Sequence, residues 1–131
     1  DQRVKVDATG AYTYPDIVIL CGPGEYAAED AHTLLNPKVV IEVLSDSTRR
    51  YDLGGKLRQY QMIPSLLEYV LVEQDEAVVD RYARQPDGRW VFEATAGLDA
   101  EFAFTAVTAR VRLADVYDGV TLTPPVPPSP R

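Results

Sequence analysis

The sequence is poor in residues that bind soft metals or form disulfides, since it contains one cysteine, Cys21, and one histidine, His32. A single cysteine excludes an internal disulfide, and a zinc site needs several nitrogen and sulfur ligands that this chain does not have. Any metal ion bound by this chain must therefore be held by oxygen ligands.

Long apolar runs and an excess of positive charge are also missing. No apolar stretch approaches the roughly 20 residues of a membrane-spanning helix, and the opening residues lack a secretory pattern; we therefore expect a cytoplasmic protein with no membrane role. With 13 basic and 20 acidic side chains the formal charge is −7, which argues against a broad basic surface for nucleic acid. Positive charge is nevertheless concentrated at Arg49, Arg50, Lys56 and Arg58.

Length and composition indicate one globular domain with a single core. The chain has 131 residues, of which 46% are hydrophobic and 25% charged, and this is enough for one core but not for two. We expect the domain to cover residues 1–122. Residues 123–131, TPPVPPSPR, predict an extended or disordered proline-rich tail.

Residues 39–60 carry the most informative pattern. The run VVIEVL is apolar on both faces apart from Glu42, which is typical of a central strand covered on both sides. A carboxylate in such a strand requires a metal ion, a lysine or an arginine beside it. A helix is predicted from about residue 51 to 63, and it places Asp52, Lys56 and Tyr60 on one side because they are four residues apart.

Other segments predict strands around this unit. Residues 21–36 contain Gly-Pro-Gly and no sustained period, and they predict a surface loop with at most one helical turn. Asp87-Gly88 predicts a hairpin turn, and residues 113–117 predict a closing helical turn. The predicted strands are residues 4–7, 17–20, 66–73, 77–84, 89–96, 102–104 and 107–111. Strand positions of Tyr69, Tyr82, Trp90 and Phe92 indicate core or cross-strand packing.

Two acidic residues suggest a metal site with oxygen ligands. Asp16 lies at the start of one strand and Glu42 within another, so the two carboxylates converge on Mg²⁺ or Mn²⁺ if these strands are neighbours. Such an ion polarises a phosphodiester and activates water, while Lys56 stabilises the developing charge or positions the water. Structural interpretations remain open: Asp16 can be a turn residue, and Glu42 and Lys56 can form a buried ion pair.

Four motifs together carry a family resemblance: Pro15-Asp16; Glu42-Val43-Leu44-Ser45; Asp52 with Lys56 and Tyr60; and PSLLEYVLV at residues 64–72. They resemble the Uma-type restriction endonucleases of the PD-(D/E)XK nuclease superfamily, from about residue 4 to residue 120. The resemblance implies an α/β, restriction-endonuclease-like core with a central mixed β-sheet, a flanking helix and an antiparallel extension. It also implies that an N-terminal helical region of the family is missing here.

The resemblance implies a metal-dependent endonuclease that hydrolyses DNA phosphodiester bonds. Asp16 and Glu42 match the family's metal ligands, with Mg²⁺ or Mn²⁺ as cofactor. Leu44 stands where the wider superfamily has its lysine, and Lys56 matches the helix position that supplies the lysine in this family. The implied supporting residues are Asp52, Gln59 and Tyr60.

A second hypothesis is a catalytically weak or inactive nuclease-fold module that acts by binding or as a homodimer. The acidic net charge and the absence of the family's N-terminal helical region favour this hypothesis, whereas the presence of Asp16, Glu42 and Lys56 favours an active endonuclease. Independently of the resemblance, Arg49 and Arg50 are candidate phosphate contacts in the loop before the helix.

Overall fold

The computed structural model describes residues 2–45 and 53–122. The predictions for Arg49, Arg50, Asp52 and the tail at residues 123–131 lie outside the described residues. Within the described ranges, no helix is both long and apolar enough to cross a membrane.

Strands dominate the described chain. The strands are β1 (Arg3–Val6), β2 (Ala11–Thr13), β3 (Ile17–Ile19), β4 (Tyr26–Ala27), β5 (Asp30–Leu34), β6 (Val39–Leu44), β7 (Glu68–Glu73), β8 (Val78–Arg84), β9 (Trp90–Ala96), β10 (Glu101–Phe104) and β11 (Ala109–Arg112). The helices are α1 (Leu53–Gln61) and α2 (Leu113–Val116).

A five-stranded sheet forms the centre of the fold, in the order β3-β6-β7-β8-β9. β6 and β7 are parallel, and every other neighbouring pair in this sheet is antiparallel. The predicted central mixed sheet is therefore confirmed, with the apolar strand β6 inside it. The β8–β9 hairpin is the predicted antiparallel extension, and Gly88 adopts the positive φ of 88° that its turn requires.

A second sheet has four strands in the order β2-β1-β5-β4. The prediction of a loop for residues 21–36 is wrong, because β4 and β5 lie within that segment. β5 pairs in parallel with β1, so Thr33 and Leu34 are buried beside a strand that is distant in sequence. This long-range pairing leaves no local alternation for a sequence pattern to detect.

The two faces of the five-stranded sheet pack against different elements, because successive strand residues point to opposite faces. One face joins α1 and the four-stranded sheet in a core that includes Val4, Val40, Tyr60, Tyr69 and Leu71. The other face packs against the C-terminal hairpin and α2 through Val39, Val70, Phe102, Leu113 and Tyr117. Glu42 follows the alternation of Val40, so its side chain lies on the α1 face.

Candidate active site

The pairing of β3 with β6 brings Asp16 and Glu42 to adjacent strands. Ile17 lies opposite Ile41 in this antiparallel pair, so Asp16, one residue before β3, lies at the level of Glu42. Asp16 Oδ2 accepts a hydrogen bond of 2.8 Å from the backbone N–H of Val43. This bond holds the exposed Asp16 carboxylate at the point where the strand pairing ends.

The buried carboxylate of Glu42 is surrounded by three donors. The Tyr60 hydroxyl donates to Oε1 at 3.2 Å, and the Tyr69 hydroxyl donates to Oε2 at 2.6 Å. Lys56 Nζ lies 3.4 Å from Oε1. These donors replace the water that Glu42 loses on burial, which is the condition for a carboxylate to be tolerated in a core.

Helix periodicity and sheet register explain this convergence. Lys56 and Tyr60 are four residues apart on α1 and therefore lie on one side of the helix. In the parallel β6–β7 pair Val40 lies opposite Tyr69 and Glu42 opposite Leu71, so Tyr69 shares the α1 face with Glu42. The Tyr60 and Tyr69 rings pack with their centroids 4.8 Å apart.

The ion pair of Lys56 and Glu42 lies at the boundary between core and solvent. The side chain of Glu42 is 9% exposed, whereas that of Lys56 is 42% exposed. The lysine therefore approaches the carboxylate from outside and retains contact with solvent. A cation in this position can touch a bound ligand without leaving Glu42.

Burial holds both tyrosine donors in their protonated form. Loss of solvent raises the pKa of Tyr60 well above its usual value, and the charge of Glu42 raises it further. Burial is also the main cause of the raised pKa of Tyr69, to which its hydrogen bond with Glu42 adds. A tyrosine is protonated at neutral pH in any case, and the raised pKa values of these two extend the protonated, donating form to more alkaline pH.

Tyr69 is a site residue that the sequence analysis missed, because its strand position indicated core packing alone. Its ring does pack in the core, but its hydroxyl also binds Glu42. A signal was present in the sequence: a buried tyrosine hydroxyl needs an acceptor and a buried carboxylate needs donors. Matching these two requirements between the strands of Glu42 and Tyr69 would have found the contact.

Gln59 lies beside the site and has a bracing contact. The hydroxyl of Thr9 donates to Gln59 Oε1 at 2.7 Å, which ties α1 to the turn between β1 and β2. Asp52, Arg49 and Arg50 have no described position. Of the residues suggested by the sequence, the structure thus brings together Asp16, Glu42, Lys56 and Tyr60.

The carboxylates have the capacity to bind a hard metal ion. An ionised carboxylate has about four lone-pair sites; Glu42 uses two on Oε1 and one on Oε2, and Asp16 uses one on Oδ2. No group of three or more His, Cys, Asp or Glu side chains suited to a metal occurs in the described part of the chain. Two carboxylates completed by water and substrate phosphate are a ligand set that Mg²⁺ accepts, so these residues fit such an ion.

A second buried carboxylate, Glu68, lies on the opposite face of the sheet and is structural. Arg81 Nη1 donates to Glu68 Oε2 at 2.9 Å, and the backbone N–H groups of Thr105 and Ala106 donate to Oε1 at 2.8 and 2.5 Å. Both charged side chains of this pair are largely buried. The Glu68–Arg81 pair is thus enclosed by protein, whereas the Glu42–Lys56 pair is open to solvent on the lysine side.

Comparison with known sequences identifies relatives over most of the chain. The model of the Uma2 family, described as "Putative restriction endonuclease", matches residues 1–114. Two uncharacterised proteins of Synechocystis sp. are similar: slr1290 is 36% identical over 91 residues, covering 70% of this chain and 47% of the relative. The second, sll1609, is 30% identical over 105 residues, covering 80% of this chain and 59% of the relative. The chain thus spans about half the length of these curated relatives.

Comparison with solved structures supports the fold. The chain is similar to the crystal structure of a "putative nuclease belonging to DUF820" from Anabaena variabilis ATCC 29413, with a TM-score of 0.67 and 18% identity. The likeness covers 88% of this chain and 64% of that chain. It confirms the predicted α/β, restriction-endonuclease-like fold.

Proposed function

We propose that this chain, which belongs to the Uma2 family described as "Putative restriction endonuclease", is a metal-dependent endonuclease that hydrolyses DNA phosphodiester bonds. One observation carries the proposal: the buried Glu42 is held by two tyrosine hydroxyls, while a half-exposed cation, Lys56, lies 3.4 Å from it. Asp16, just before the neighbouring strand β3, supplies a second carboxylate at the level of Glu42. Such a combination of fixed carboxylates and an accessible cation suits cleavage of a phosphodiester.

Asp16 and Glu42 would hold Mg²⁺ or Mn²⁺. When bound, such an ion polarises the phosphodiester and makes a water molecule more acidic. The contribution of the chain is to hold both carboxylates in place: Val43 N–H orients Asp16, and the hydroxyls of Tyr60 and Tyr69 orient Glu42. Preorganised ligands need not rearrange during the reaction.

Lys56 supplies positive charge where negative charge develops on the phosphate. Its ammonium lies next to Glu42, and its side chain is exposed enough to contact the substrate. Charge directed at a transition state contributes several kcal/mol to catalysis when water is excluded from the site (about 3–4 kcal/mol for a single donor). We therefore assign to Lys56 the stabilisation of the negative charge that develops on the phosphate during cleavage.

A cleavage assay on labelled duplex DNA with Mg²⁺, Mn²⁺ or EDTA tests this proposal. Glu42→Gln preserves the size of the side chain but removes its charge, and we expect it to lower the cleavage rate by about 10²-fold or more. Glu101→Gln is the matched control, because Glu101 lies on β10 and pairs with Arg110 outside the site. Equal rates for wild type and Glu42→Gln would refute the assignment.

The second candidate function, an inactive nuclease-fold module that self-associates, has one observation in its favour. Ile17, Val43 and Val120 are about half exposed, and all three line an apolar cleft of about 420 Å³. Exposed apolar patches of this kind often mark association sites. Molar mass from light scattering, read beside the cleavage assay, decides between the candidates: an active monomer excludes this module, whereas a dimer without cleavage under any metal supports it.

A further inference from the structure

A second cleft of about 430 Å³ opens beside the Glu42–Lys56 pair, between β2 and α1. Tyr12 and Thr13 belong to one wall, and Lys56 and Arg58 belong to the other. Lys56 is shared by the cleft and by the ion pair with Glu42. If one phosphate group of a polymer is bound at the Glu42 site, the adjoining part of the polymer lies next to this cleft.

The charge of this cleft is opposite to that of the molecule as a whole. Among the described residues its lining includes two cations, Lys56 and Arg58, and no acidic side chain, although the chain carries a net charge of −7. Arg58 is exposed, and none of the ion pairs between described residues includes it. By contrast, the described lining of the apolar cleft at Ile17 contains one acidic side chain, Glu73, and no basic one. Phosphate is thus favoured at the β2–α1 cleft and disfavoured at the other.

Backbone groups complete this surface. Among the described strands β2 pairs with β1 alone, so its outer edge is free of strand pairing and faces the cleft. The outward N–H groups of an edge strand can donate to phosphate oxygens; the N–H of Ala11 already donates to the Thr9 hydroxyl at 3.3 Å.

We propose that the β2–α1 cleft binds the sugar-phosphate backbone of the DNA strand adjacent to the phosphodiester at Glu42, with Arg58 as the main phosphate contact. The proposal rests on the proposed endonuclease function for the identity of the polymer. Arg58 is a binding residue here: it holds the strand and takes no part in bond cleavage. Its guanidinium offers several donors in a planar arrangement that matches phosphate oxygens.

Binding of labelled duplex DNA, measured by fluorescence anisotropy in EDTA over a range of salt concentrations, tests the cleft without cleavage. Arg58→Gln should weaken binding by about 3- to 10-fold and lower the slope of log K against log salt by about one. Arg58→Lys should restore part of the affinity because it restores the charge. Arg89→Gln is the matched control: Arg89 is 84% exposed at the β8–β9 turn, and its loss changes the net charge equally. We expect this control to bind like wild type.

The proposal fails if wild type does not bind DNA, or if Arg58→Gln and Arg89→Gln bind alike. Unchanged thermal unfolding of Arg58→Gln, expected for an exposed helix position, shows that the effect on binding is not a folding defect. Cleavage kinetics separate this failure from that of the proposed function. If Glu42→Gln loses cleavage but Arg58→Gln binds DNA like wild type, the proposed endonuclease function is supported and the proposed binding cleft is refuted. If binding depends on Arg58 but the protein never cleaves DNA, the binding cleft is supported and the endonuclease function is refuted.

Discussion

At the scale of single residues, the hydrogen bond from Tyr69 to Glu42 stabilises the fold by pairing a buried carboxylate. Tyr69→Phe preserves the buried ring but removes the donor at 2.6 Å from Glu42 Oε2. Leaving a buried charged acceptor without this partner should lower the free energy of unfolding by about 1–3 kcal/mol, measured by urea denaturation. Tyr82→Phe is the control, because Tyr82 stacks on Tyr69 but its hydroxyl does not contact Glu42. Equal losses in both variants would contradict the role of this hydrogen bond.

Lys56 distinguishes catalysis from structural compensation. In Lys56→Met, Glu42 keeps two hydroxyl donors, and the lost cation was already 42% exposed. We therefore expect a loss of stability of about 1 kcal/mol or less, together with loss of cleavage by about 10²-fold or more. A loss of about 3–5 kcal/mol in denaturant melts would instead identify a structural ion pair.

The two tyrosines around Glu42 also predict how stability depends on pH. Burial raises the pKa of both hydroxyls above the usual value of 10.0, so above that pH the unfolded chain releases these protons while the folded protein keeps them. The stabilisation that the two tyrosines contribute to the folded state is therefore fully present below pH 10. As the pH rises further, the free energy of unfolding falls by about 1.4 kcal/mol per pH unit for each tyrosine. Urea denaturation at several alkaline pH values measures this slope. Tyr69→Phe should reduce it, and an unchanged slope would count against the assignment.

At the scale of elements, α1 positions Lys56 and Tyr60 despite the unfavourable Gly54-Gly55 pair at its start. Apart from its chain neighbours and the backbone of the helix itself, the nearest described atom to a Cβ at Gly54 is Arg58 Nη1, at 3.9 Å. Gly54→Ala should therefore stabilise the protein by about 0.5–1 kcal/mol in thermal or urea unfolding, because alanine favours the helix.

Gly88→Ala provides the opposite case for the same substitution. A Cβ at Gly88 also has open space, but the residue has a φ of +88° in the β8–β9 turn. An alanine there is strained and should destabilise the protein by about 1 kcal/mol. If Gly54→Ala raises the free energy of unfolding and Gly88→Ala lowers it, backbone conformation, and not contact with neighbouring atoms, decides the effect of each substitution.

At the scale of the whole molecule, metal binding should be linked to folding. If Asp16 and Glu42 hold Mg²⁺ or Mn²⁺ in the folded state alone, the ion stabilises that state by about 2.7 kcal/mol at a concentration of 100 times its Kd. Thermal unfolding should therefore shift upward with metal in wild type but not in the double variant Asp16→Asn with Glu42→Gln. A shift of the same size in both proteins would place the ion elsewhere.

The sequence by itself determined the elements whose pattern is local. The apolar run of β6, the turn at Gly88 and the helix of Lys56 were predicted and are present, with α1 spanning Leu53–Gln61 where about 51–63 was expected. Burial of Glu42 followed from its place in an apolar strand. The spacing of Lys56 and Tyr60 placed them on one side of a helix, since helix periodicity is contained in a short window of sequence.

Tertiary structure alone decided which distant residues meet. The strand β5 is stabilised by its pairing with β1, so residues 21–36 gave no local signal of it. The contact of Tyr69 with Glu42 depends on the β6–β7 register, and the cleft at Arg58 depends on how β2 faces α1. Strand register and the packing of one element on another are set by contacts across long stretches of chain, which no local pattern records.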